Sequence, residues 1–134
     1  MRMRLVILAI LFNFPVLVMG GPAVAHHHPS CAALHEAAFL DEAEEVRGLL
    51  AHGVDVECLD VLGHTPLVTA VNGASAGAFQ VLMEAGARVD VRTEYGQSLL
   101  DHTKEKYAAF TSKSGLAFRR LFGDMVARLE TAQP

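Results

Sequence analysis

The chain has 134 residues, 51% of them apolar and 19% charged, with 11 Lys+Arg against 15 Asp+Glu, no Trp and a formal charge of −4. An apolar share this high belongs to a chain that folds, while a mildly negative balance provides no field for a polyanion and excludes a general nucleic-acid binder. So short a chain lacks the bulk for a large enzyme core, which leaves a scaffold or binding module as the favoured class.

The apolar residues are unevenly placed. Met1-Arg2-Met3-Arg4 is a cationic start, Leu5 to Gly20 is a run whose only strongly polar member is Asn13, and Gly21-Pro22 leads to Ala23-Val24-Ala25. These are the three parts of a secretory signal peptide, expected over residues 1–25. A sixteen-residue helix covers about 24 Å at ~1.5 Å per residue, short of a ~30 Å hydrocarbon layer, and Pro15 weakens it as a permanent span. An uncleaved anchor is the competing reading. A lipoprotein fails at Cys31, which follows His28-Pro29-Ser30 instead of small apolar residues. Removal of residues 1–25 leaves 109 residues with a charge of −6, since Arg2 and Arg4 go and no acid does. The expected location is periplasmic or secreted, with no stable membrane span after processing, and the compartment is an oxidising one.

Residues 26–30 form a histidine-rich leader. A new amino terminus at His26, two backbone nitrogens and the His28 imidazole can make a square-planar nitrogen site for Cu or Ni, so His26, His27 and His28 are the metal candidates. The alternative is a polar leader that binds metal only incidentally.

Two short helical patterns follow, Ala32 to Phe39 and Glu42 to Ala51, with Asp41 between them as the expected N-cap of the second. Val46, Leu49 and Leu50 make an apolar stripe on that second helix, and Gly53 suits its left-handed end. Thr65 caps and Pro66 opens the next helix, which is followed by Asn72-Gly73-Ala74-Ser75 and a helix over Ala76 to Ala85. Ser98 to Phe110 reads as a longer helix and Thr111 to Gly115 as a loop. Leu116 to Leu129 is a last helix with Phe118, Leu121, Phe122, Met125, Val126 and Leu129 inward and Arg119, Arg120 and Arg128 outward.

These elements recur at a period of thirty-three. Leu34, Leu67 and Leu100 obey it, as do the pairs Gly53/Gly86, Val56/Val89, Gly63/Gly96 and Leu49/Leu82. Gly63-His64-Thr65-Pro66-Leu67, with Val68 and then Ala70, resembles the ankyrin repeat, whose pattern is Gly-x-Thr-Pro-Leu-His-x-Ala. Leu34-His35-Glu36-Ala37 keeps a second part of it, and Gly96 with Leu100 a third. The resemblance covers about residues 31–103. It implies an all-α fold: an ankyrin-repeat solenoid of stacked helix pairs with short β-hairpin tips and a modified C-terminal helical cap. The domain spans 31–134, with repeats at about 31–63, 64–96 and 97–130. No helix pair of this size buries its own face, so neighbours must stack.

The resemblance further implies binding of a protein partner through hairpin tips and the first helix of each pair. Carried onto this chain, those places are Val61, Leu62 and His64 in one hairpin and Glu94, Tyr95 and Gln97 in the next, with Phe39, Leu40, Asn72 and Gly73 on the helices. Leu62 and Tyr95 stand just before the hairpin glycines, where a polar residue is usual. Exposed apolar and aromatic groups collect at binding sites, although Leu62 and Tyr95 packing on each other is the plain alternative. His35, at the family's histidine place, is expected to hydrogen-bond neighbouring loops.

Cys31 and Cys58 are an even pair in an exported chain and are expected to form a disulfide between neighbouring layers. Eight acids against Arg47 alone between His26 and Asp60 suit a basic partner or a solvated face. No serine or cysteine is spaced with a histidine and an acid as a nucleophile would be, and no phosphate loop or Cys-x-x-Cys occurs. The expectation is therefore a non-enzymatic, monomeric protein–protein interaction module. A protective role, against stress or a toxin, is compatible with the family, and metal handling by the histidine leader is the alternative.

Overall fold

The computed structural model describes residues 29–109 and 116–134. The expected signal peptide, the His26, His27 and His28 leader and the loop over Thr111 to Gly115 lie outside the described residues. Within them the chain forms six helices: α1 (Cys31–Phe39), α2 (Ala43–Ala51), α3 (Pro66–Gly73), α4 (Ala76–Glu84), α5 (Leu99–Ala109) and α6 (Leu116–Ala132).

The sequence period reappears as a backbone period. The first helix of each regular pair ends on a left-handed residue, Asp41 at φ 62° and Ala74 at φ 55°. The amide just after each left-handed residue then bonds back, Glu42 N–H to Ala37 O at 3.0 Å and Ser75 N–H to Ala70 O at 2.9 Å. The second helices stop alike, at Gly53 and Gly86, with Val54 N–H donating to Leu49 O (3.1 Å) and Ala87 N–H to Leu82 O (3.0 Å). This six-to-one closure satisfies carbonyls that a helix end otherwise leaves orphaned. In the third unit the corresponding places are Tyr107 and Arg119, and both lie inside helices, so α5 and α6 run on as a longer terminal pair.

Helix starts follow local chemistry. Ser30 and Thr65 accept from the amides of Ala33 and Val68, and Pro66 occupies the first turn of α3 where its missing N–H is harmless. Asp41 does not cap α2, whose N-cap Glu42 makes no side-chain bond. Its carboxylate instead accepts from Ala78 N–H at 2.8 Å, capping α4 in the next repeat. The left-handed turn at Asp41 carries the side chain away from its own helix.

The core is one continuous stack. Leu34, Val46, Leu67, Val68, Val71, Phe79, Leu82 and Leu99 are buried between successive pairs, and Phe122, Met125 and Leu129 of α6 close the last face. Leu121 and Val126 are only half-buried, and Arg119, Arg120 and Arg128 are exposed. A turn-on-turn contact fixes the first step of the stack: Ser75 Oγ donates to Phe39 O at 2.8 Å, and a Cβ at Gly73 would stand 2.3 Å from that same carbonyl. Among the described residues no helix is long and apolar enough to cross a membrane.

Candidate functional site

The two tips are closed turns. Gly63 N–H donates to Asp60 O and Asp60 N–H to His64 O, both at 3.0 Å; in the next repeat Gly96 N–H donates to Thr93 O (2.9 Å) and Thr93 N–H to Gln97 O (3.0 Å). Gly63 and Gly96 hold φ of 78° and 76°, a conformation that would strain any side chain there. This three-residue loop with a left-handed glycine is a standard hairpin closure; the second tip's arms add one bridge, Arg92 with Ser98, and among the described residues neither tip extends into a strand ladder.

Asp60 stiffens the first tip. One carboxylate oxygen accepts from Leu62 N–H (2.8 Å) and His64 N–H (2.9 Å). Burial works to raise its pKa, but those two amides, with His64 and His35 nearby, outweigh burial and hold it below the ordinary value. Thr93 takes the same place in the second tip, where its buried hydroxyl has no hydrogen-bond partner. There Arg92 donates to Gly96 O at 2.7 Å.

Rigid turns thus carry apolar ends. Val61 is 101% exposed, Leu62 59% and Tyr95 78%. The Tyr95 phenol is pushed above its ordinary pKa, first by its hydrogen bond to Glu94 and then by that carboxylate's charge. Leu59, which sequence reasoning passed over, adds a further exposed apolar side chain in the same arm; its only signal was an apolar residue in a short turn-bound segment. Beside the second tip, an open groove of about 440 Å³ is lined by Tyr95, Gln97, His102, Glu105 and Lys106. Gln97 Nε2 donates to Glu105 at 2.9 Å across it.

Placement separates the expected binding residues into three groups. Val61, Leu62, Glu94, Tyr95 and Gln97 lie together at the tips. His64 is buried, not displayed: its Nδ1 stands 3.5 Å from Asp60 and its Nε2 3.9 Å from Glu94. It therefore sits between the two tips and offers a partner little surface of its own. Phe39 and Leu40 are exposed, but at the far end of α1, nine residues or about 13 Å along the helix from Cys31. Asn72 is half-buried near that far end, and its Oδ1 accepts from His102 Nε2 at 2.8 Å. Burial, followed by the charge of Lys106, holds His102 below the ordinary histidine pKa.

The remaining polar groups are structural. His35 Nε2 lies 3.0 Å from the Cys58 carbonyl, which can only accept, so this nitrogen carries the proton and Nδ1 accepts from the Thr69 hydroxyl at 2.7 Å. Both side chains are buried and join repeat one to repeat two, so this hydroxyl–imidazole pair acts as a clamp, not a nucleophile. Cys31 and Cys58 form a disulfide with a Cα–Cα separation of 5.9 Å. No cysteine is free. The first repeat keeps Glu36, Asp41, Glu42, Glu44, Glu45 and Asp55 at the surface, while Arg47 pairs with Glu44 and lies 3.9 Å from Glu84.

No family model matches the chain. Over 73 residues, 54% of the chain, it is 32% identical to the human transient receptor potential cation channel subfamily A member 1, and it spans only 6% of that protein's length. Among solved structures it resembles the ankyrin domain of AnkB from Legionella pneumophila, at TM-score 0.63 and 21% identity, covering 78% of this chain and 93% of that one. The human ASB11 ankyrin repeat domain gives 0.55 and 22%, over 72% and 38%. A chain in the complex of the predatory endopeptidase Bd0816 with the immunity protein Bd3460, from Bdellovibrio bacteriovorus, gives 0.56 and 23%, over 77% and 47%.

Proposed function

On this ankyrin-repeat fold, with its rigid apolar tips, we propose that the chain is a non-enzymatic protein–protein interaction module working in the periplasm or outside the cell. The observation that carries the reading is the exposure of Val61 and Leu62 on a turn pinned by the Asp60 carboxylate, and of Tyr95 on the neighbouring turn closed at Gly96. Large side chains held ready lose little entropy when a partner covers them, and such anchors supply most of an interface's energy. Rigid loops also favour recognition of a folded partner over a disordered one.

The role we assign is protective, by occluding a harmful protein. The likeness to a chain in an endopeptidase–immunity protein complex supports a neutralising role over a stress-related one. A disulfide that ties the start of α1 to the arm leading into the first tip fits an oxidising compartment. Two regular repeats and a terminal pair make a small surface, which suits one dedicated partner bound by a monomer.

Affinity capture from an envelope extract, using the chain processed after Ala25, tests this reading. A protein retained by the wild-type chain and lost from Leu62→Ala/Tyr95→Ala supports it. Identical retention by both chains means that the tips are not the binding surface.

A further inference from the structure

Cys31 and His35 stand one turn apart on the same face of α1, and Cys58 approaches them from the arm leading to the first tip. One ligand atom from each, two sulfurs and a ring nitrogen, all lie within 4.8 Å of one another. We propose that the disulfide is the closed form of a redox-gated zinc site: on reduction, Cys31, Cys58 and His35 bind one Zn(II) ion, with water as the fourth ligand.

The donor set suits the ion. Zinc takes thiolate at about 2.3 Å and imidazole at about 2.0 Å in tetrahedral geometry, which needs donors somewhat under 4 Å apart. Breaking the sulfur–sulfur bond lets the two side chains spread to that separation by χ rotation, from a Cα–Cα spacing of 5.9 Å.

The histidine is backed as a zinc ligand should be. Its Nδ1 faces the Thr69 hydroxyl at 2.7 Å, with Asp60 Oδ2 at 4.0 Å, so Nε2 is the nitrogen turned toward Cys58. Moving the ring proton to Nδ1 reverses the Thr69 bond by turning only the hydroxyl proton and frees the Nε2 lone pair; the Cys58 carbonyl, 3.0 Å along that direction, has to turn aside as the metal enters, which the opened disulfide allows. A metal-bound imidazole that donates its other N–H to an oxygen is the usual outer arrangement of such sites. Both cysteines are half-buried and His35 buried, so the site is reached from the sulfur side.

The chemistry balances. A dithiol reductant passes two electrons and two protons to the disulfide and ends as a disulfide itself. The two resulting thiols release both protons to solvent as Zn(II) binds their sulfurs. The oxidised chain lacks both thiolates and has no site, so the two cysteines fasten the arm to α1 in one state and, with His35, bind metal in the other.

The test uses the full chain carrying His26→Ala, His27→Ala and His28→Ala, so that the leader imidazoles do not contribute. Under anaerobic phosphine reduction, Co(II) is titrated as the spectroscopic probe and then displaced with Zn(II). The expected result is one Co(II) per chain, with thiolate charge-transfer bands and the strong d–d absorption of four-coordinate cobalt, bleached by Zn(II) and absent from the oxidised chain. His35→Gln should weaken binding at least tenfold, and Cys58→Ser should diminish the charge-transfer bands. No bands above those of the oxidised chain overturn the proposal, as does unchanged affinity in His35→Gln. A measurement on the reduced parent chain needs no further variant to fold: Zn(II) should slow alkylation of Cys31 and Cys58 together, and unprotected cysteines refute the site.

Discussion

Asp41 illustrates how one side chain joins two repeats. Its left-handed backbone costs about 1 kcal/mol relative to a helical residue, yet it delivers a carboxylate to the N-terminus of α4. Gly77, where a Cβ would lie 3.1 Å from that carboxylate, leaves the space. Gly73 plays the same part for the Phe39 carbonyl. Gly73→Ala should therefore destabilise by about 2–3 kcal/mol, read as a lowered denaturant midpoint, because the atom it meets is backbone and cannot swing aside. An unchanged midpoint would show that the repeats re-seat at no cost. Neither contact was legible in the sequence: Asp41 precedes a helix and reads as its cap, and only the stacking of the next repeat reveals the other partner. His64 misleads similarly. Its place in the hairpin motif suggests display, whereas its ring is buried between Asp60 of its own tip and Glu94 of the next.

His102 gives the residue scale a pH dependence. Its folded pKa lies below 6.5, so near that value the unfolded chain takes up a proton that the folded chain does not. The stability it contributes is present above pH 6.5 and is lost as pH falls through the folded pKa. Thermal unfolding of wild type and His102→Gln, compared at pH 7.5 and pH 5, should show a smaller acid-induced drop in the variant. Equal drops would place the proton uptake elsewhere.

At the scale of elements, most of the architecture could be read in advance. Helix ends are set by short-range rules, so Thr65-Pro66, Gly53 and Gly86 mark them in the sequence itself. Thr65→Ala should destabilise by about 1 kcal/mol through loss of the α3 cap, measured by chemical denaturation. The expectation for α6 was met along Phe122, Met125 and Leu129, which obey helical spacing. The Cys31–Cys58 bond was anticipated as a pairing of neighbouring layers; what could not be anticipated was His35 reaching the same point, since that needs the helix phase and the arm position together. Closing a loop with a sequence separation of 27 should contribute about 3 kcal/mol. A Cys31→Ser/Cys58→Ser chain that unfolds at the wild-type midpoint under oxidising conditions would contradict this.

For the whole molecule, the stabilising core and the proposed binding surface are made of different residues. The stack is held by Leu34, Leu67, Phe79, Leu82 and Leu99 between repeats, whereas Val61, Leu62 and Tyr95 are exposed and lie outside the core. Truncating the tips should leave the unfolding midpoint unchanged within about 0.5 kcal/mol, as surface substitutions usually do. The acidic first repeat would then steer a basic partner toward the adjoining tips, an effect that salt screens. Most of this surface was legible because Leu62 and Tyr95 break the usual polarity just before a hairpin glycine. Its extension to Leu59 and to the groove beside His102 was not, because that depends on how α5 sits against the second tip. The measurement that decides the account is the affinity of the captured partner for wild-type and Leu62→Ala/Tyr95→Ala chains, each first shown to unfold at the same midpoint. A loss of at least tenfold, about 1.4 kcal/mol, is the predicted result; equal affinities would contradict a binding role for the tips.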